Sequence, residues 1–140
     1  MQRYYDTLAS YDRDGFHIIV DKTYEDLDPK DMFDESIDPD TGKPYFDMDQ
    51  IYSDINSGNL DWFMLRVRVF AGGVELGSDY VGGFLYKDAR EVLTDGVVED
   101  MIDTAMKEAR VQVRDLADKF CQMALAFDQE EVEEQAYYGA

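Results

Sequence analysis

The chain has very little of what reactive sites are made from. It has one cysteine, Cys121, and one histidine, His17. One thiol allows neither an internal disulfide nor a CxxC site, which fits a reducing cytoplasm. One His and one Cys cannot supply a soft-ligand zinc centre. As a general base His17 would want a nucleophile and an orienting partner, and the sequence identifies neither; it reads as an ordinary strand histidine, and Cys121 as a buried structural thiol. No apolar run approaches the 18 residues of a membrane span, and Met1-Gln2-Arg3-Tyr4-Tyr5-Asp6 lacks the apolar core of a signal peptide. Basic residues are also scarce, 13 against 32 acids, for a formal charge of −19. That balance disfavours direct contact with nucleic acid or an anionic membrane, both of them polyanions.

What is present suits a single α+β domain spanning residues 1–140. The organising stretch is a helix expected from about Thr94 to Phe127. Val98, Ile102, Ala105, Ala109, Val113, Leu116, Phe120, Ala124 and Phe127 recur there in steps of three or four, one apolar stripe down one face. Thirty residues at about 1.5 Å each span roughly 45 Å, more than a small sheet can cover. The helix must therefore bend, break, or project and pack on a second copy. Thr94 or Asp95 is the expected cap, Asp103/Lys107 and Asp115/Lys119 are i,i+4 pairs, and the acidic tail from about 128 should fray against the helix dipole.

Ahead of the helix, residues 61–71 and 74–86 read as a hairpin around Gly72-Gly73. A two-residue turn there pairs positions summing to 145, which sets Val69 against Leu76, Leu65 against Tyr80, Arg66 against Asp79 and Trp62 against Gly83. Phe16–Val20, continuing to about Tyr24, is a further strand with β-branched content. Residues 2–10 read as a short helix or frayed lead-in. Residues 21–49 hold 11 acids, 3 bases and all three prolines; this is an irregular acidic loop, with one helical turn near Asp31–Glu35. A short helix follows at about Asp47–Asn56, stopped by Gly58, and Lys87–Leu93 is a short helix or a connector. The expected architecture is an antiparallel sheet of three to four strands with the hairpin at its centre, strand 16–24 beside it, and the long C-terminal helix packed on one face over Phe63, Leu65, Val67, Val69 and Leu76.

No catalytic or metal residues and no cofactor are assigned. Asp38-x-Asp40 begins like an EF-hand loop, but Lys43 and Pro44 fall where that loop needs its glycine and its next ligand, and Asp49 where it needs glutamate. A looser calcium site of Asp38, Asp40, Asp47 and Asp49 is the third reading of function. Gly82-Gly83 lacks the lysine and hydroxyl of a phosphate loop and suits a bulge or bend.

The charge is the functional lead. Residues 1–60 carry net −10, residues 61–90 zero and residues 91–140 net −9, so acids flank a neutral hairpin. B-DNA carries one charge per about 1.7 Å, so 19 charges match roughly 32 Å of duplex. Asp26, Asp28, Asp31, Asp34, Glu35, Asp38, Asp40, Glu99 and Asp103 are the candidate phosphate substitutes. In size, acidity and lack of catalytic groups the chain resembles the small DNA-mimic inhibitors that phages and mobile elements use against restriction, CRISPR or other DNA-handling machinery. The likeness is one of character and assigns no residue. It implies a non-enzymatic inhibitor whose partner is a basic nucleic-acid-binding protein. The alternative is a structural or adaptor module, a homodimer joined through the overlong helix or the Trp62/Met64/Phe70 face.

Overall fold

The computed structural model describes residues 3–33 and 36–138, the side chains of 132–138 excepted. Four strands form one antiparallel sheet in the order β1 (Asp6–Arg13), β2 (Phe16–Tyr24), β3 (Asp61–Ala71), β4 (Val74–Tyr86). The helices are α1 (Pro29–Met32), α2 (Met48–Ser57) and α3 (Gly96–Tyr138), with one 3-10 turn at Ala89–Thr94. This is the α+β arrangement expected, with α3 packed over one sheet face.

The first strand corrects the expectation of a helical or frayed lead-in. Asp14 (φ 54°) and Gly15 (φ 84°) take left-handed conformations. An Asp-Gly turn of that kind joins two strands whose twist it matches, so residues 6–13 pair back on β2 from Arg13↔Phe16 to Asp6↔Lys22. The extra strand makes β2 and β3 the central pair and puts β4 at an edge, so the 61–86 hairpin is not the centre of the sheet.

Strands β3 and β4 begin as the Gly72-Gly73 turn dictates, with Ala71↔Val74 and Phe70↔Glu75. Two bulges then shift the ladder. Val69 meets Gly77, which leaves Leu76 as the extra residue, and Gly82-Gly83 together face Met64, with Gly83 at φ 81°. Each bulge moves the register by one, so all four pairings expected from the turn are replaced: Arg66 lies opposite Tyr80, Asp79 opposite Val67, Trp62 opposite Leu85 and Leu65 opposite Val81.

The core lies between the sheet and the first four turns of α3. Ile18, Val20, Phe63, Leu65, Val67 and Val69 are buried against Val98, Met101, Ile102, Ala105, Met106 and Ala109, and Leu76 is partly buried beside them. The approach is closest at Gly77, where a Cβ would stand 2.1 Å from the Ala105 carbonyl oxygen. After Ala109 the helix leaves the sheet. Val113, Phe120 and Phe127 of the same stripe are exposed, as are Val111, Met123 and Leu125. Of the three outcomes open to an overlong helix, projection is the one observed, and the helix continues to Tyr138 beyond the acids where fraying is expected. Cys121 lies on the projecting part and is exposed, correcting its reading as a buried thiol.

Candidate protein-binding surface

The acidic loop is built around Trp62. Its indole N–H donates to the Leu27 carbonyl at 2.8 Å, and Phe33 packs on the ring and on Phe46. The Glu25 carboxylate accepts from the backbone N–H groups of Leu27 and Gly83. These contacts bury Trp62 to 8% exposure, which removes it from the open Trp62/Met64/Phe70 face considered as an interface.

Within this frame most loop carboxylates serve local geometry. Asp28 caps α1, accepting from Lys30 N–H at 3.2 Å and from the Tyr52 hydroxyl of α2. The phenol bond, and after it the backbone N–H, hold its pKa below the usual carboxylate range; the same bond holds the Tyr52 phenol above its own. Asp38 accepts from Asp40 N–H at 2.9 Å and, through its carbonyl, from Gly42 N–H, beside an isolated bridge between Ile37 and Pro44. Asp47 caps α2. With Asp38 and Asp47 turned to backbone donors, Asp38, Asp40, Asp47 and Asp49 do not converge, and among the described residues no three His, Cys, Asp or Glu side chains stand where they could hold a metal ion. Asp26 is paired with Arg3, and its carboxylate holds that guanidinium's pKa up. Asp31 and Asp40 are exposed and carry no ion pair among the described residues. Asp34 and Glu35 lie outside the described residues.

The helix acids are elsewhere. The Arg13 guanidinium reaches both Glu99 oxygens at 3.3 Å, and that bond raises the arginine's pKa. Asp103 follows one turn on, exposed and without an ion pair among the described residues. Arg13 pairs with Phe16 at the start of β2, whereas Arg3 bonds the Tyr24 carbonyl at its end. Eight residues of strand, about 26 Å, separate the two anchor points. The seven described candidate acids therefore form two sets at opposite ends of the sheet, not one row.

Sequence reasoning did not find two further features, the cluster around Asp21 and the hollow beside His17. Asp21, at 1% exposure, accepts from Arg66 at 2.7 and 3.2 Å, from Arg68 at 2.9 Å and from Thr7 at 3.0 Å. Tyr5 lies against the Arg66 guanidinium, 3.4 Å from ring centre. His17 Nδ1 is 2.8 Å from Asp12 beside an open hollow of about 420 Å³ lined by Phe16, Ile19, Phe70 and the two hairpin turns. No hydroxyl or thiol side chain lines that hollow, so the Asp–His pair faces no nucleophile. The bare apolar length of α3, by contrast, is the projection that the helix length had already raised in the sequence.

The fold and these surfaces define an acidic α+β domain whose most distinctive feature is a free-standing helix. Among the described residues no helix is long and apolar enough to cross a membrane. No family model, characterised protein or solved structure matches the chain.

Proposed function

We propose that the protein is a non-enzymatic, cytoplasmic acidic inhibitor. It binds a basic surface of another protein, a surface that otherwise holds nucleic acid, in the manner of a DNA mimic directed at DNA-handling or defence machinery. The supporting observation is charge that the molecule cannot neutralise for itself. Thirteen bases face 32 acids, and seven of the bases (Arg3, Arg13, Lys22, Lys30, Arg66, Arg68 and Arg110) are already engaged with acids of the chain. Even complete pairing leaves 19 carboxylates over.

The placement of the candidates refines the reading. Asp31 and Asp40 at one end, with Asp103 at the other, are the exposed carboxylates free to meet a partner's cations. Asp26, Asp28 and Glu99 are shared with bases of the chain and contribute less. Two anionic ends about 26 Å apart along β2 fall within the roughly 32 Å of duplex that 19 phosphates occupy, so one elongated groove could engage both.

The test is capture of partners from native cell extract on the immobilised protein. The expected partner is a DNA- or RNA-binding protein that elutes in a rising NaCl gradient and is displaced by duplex DNA. Asp31→Asn/Asp40→Asn/Asp103→Asn protein should retain it less well. Partners that resist both salt and DNA would overturn the proposal.

A further inference from the structure

The projecting part of α3 is an apolar surface that no other described residue covers. Phe120, Leu125 and Phe127 are 58%, 63% and 56% exposed. Helices in proteins draw most of their stability from packing an amphipathic face, and here the stripe that packs on the sheet through Ala109 simply continues. Its period is informative. Val98, Ala109 and Phe120 are eleven residues apart, as are Ile102, Val113 and Ala124, and Ala105, Leu116 and Phe127. An eleven-residue repeat keeps one seam on a nearly straight helix with a slight right-handed coil, so the exposed half can meet another helix along its whole length.

Charge indicates the occupant. Residues 107–119 hold Lys107, Arg110, Arg114 and Lys119 against Glu108, Asp115 and Asp118, net +1; residues 120–134 hold five acids and no base, net −5. A parallel pair of these helices would set acid on acid. An antiparallel pair sets the acidic end of each over the basic base of the other. Arg110 and Asp128 are 18 residues apart, five full turns, and so lie on the same flank of the stripe. In an antiparallel pair equal flanks face each other.

We infer that the helix segment from about Val111 to Glu131 is a docking surface for a second copy of this chain, laid antiparallel. With the two-fold axis beside Phe120, Val113 meets the partner's Phe127, Leu116 meets the partner's Ala124, and the two Phe120 rings meet on the axis. Each Asp128 then reaches the partner's Arg110, whose one ion pair among the described residues is an exposed one with Asp14 at 3.7 Å. The inference does not depend on the inhibitor reading, and either can fail alone.

Sedimentation equilibrium of the full chain over about two decades of concentration tests it. The expected result is a reversible dimer that Phe120→Glu converts to monomer; that side chain is outside the core, so the sheet and the first turns of α3 should keep their circular dichroism and melting. Asp128→Arg should weaken the dimer by about tenfold, and Arg110→Asp/Asp128→Arg should recover it. A monomer throughout the range, a Phe120→Glu dimer, or a dimer that Asp128→Arg tightens would each overturn it.

Discussion

Asp21 stands alone among the described residues as a carboxylate fully withdrawn from water, and its three donors come from the two strands that flank it: Thr7 of β1, and Arg66 and Arg68 of β3. The sequence places Asp21 on the face shared with His17 and Ile19, but pairs Arg66 with Asp79. That pairing fails because the bulge at Leu76 shifts β4, and because a buried carboxylate offers the guanidinium a better partner than an edge residue does. Removing one member of such a cluster strands the others. Asp21→Ala should destabilise the fold by about 3 kcal/mol, the low end for breaking a buried ion pair because both arginines keep some water. Urea unfolding should show a lower midpoint with an unchanged slope. The Tyr52–Asp28 bond acts through pH instead. A phenol whose folded pKa is raised contributes stability that is complete below its ordinary value, about 10, and lost as pH rises through the folded value. Asp28, with a lowered pKa, contributes stability that is complete above the ordinary carboxylate range and lost as pH falls through its folded value. Unfolding midpoints followed against pH should therefore fall at both extremes, and Tyr52→Phe should flatten both limbs. Tyr86, raised by its 2.5 Å bond to Asp95, adds to the alkaline limb alone.

At the scale of elements, what could be read from the sequence was what local chemistry decides. The α3 stripe, the Gly72-Gly73 turn, the β-branched β2, and α2 between its Asp47 cap and the left-handed Gly58 at its end all follow from nearby residues. Strand β1 was misread as a helix or frayed lead-in, because its charged ends hid its alternation and the turn signal of Asp14-Gly15 was passed over. The register of β4 was not legible. Nothing near Leu76 announces a bulge; its reason lies some thirty residues away, where α3 needs a side-chain-free position at Gly77 to come down on the sheet. Gly77→Ala tests that account. A methyl group 2.1 Å from the Ala105 carbonyl must push the helix outward, and overpacking of this kind costs about 1–3 kcal/mol. The expected outcome is a lower melting temperature with the helix content retained. Full stability would mean that the close approach does not set the register.

At the scale of the whole molecule, the candidate acids were legible one by one but their grouping was not. Where Asp26 and Glu99 stand relative to each other is decided by the ends of β2 on which the loop and the helix land, a matter of long-range pairing. The total charge, by contrast, needs no fold to be known, and it makes a prediction opposite in sign to that for a molecule held together by surface ion pairs. Exposed pairs such as Arg13–Glu99 and Arg110–Asp14 contribute little and are weakened by salt. Nineteen uncompensated negative charges repel one another in the compact state, and salt weakens that repulsion as well. The repulsion involves more charges and acts over longer distances, so its loss should dominate. Melting temperature should rise as NaCl increases from about 0.01 M, where the Debye length is near 30 Å and spans the domain, to about 0.15 M, where it is near 8 Å. Differential scanning calorimetry at fixed pH, and at a concentration low enough to keep the chain monomeric, is the measurement. A melting temperature that falls with salt would mean that the ion pairs, not the surplus carboxylates, dominate the electrostatics of the fold, and the surplus would then be a weaker basis for binding a cationic partner.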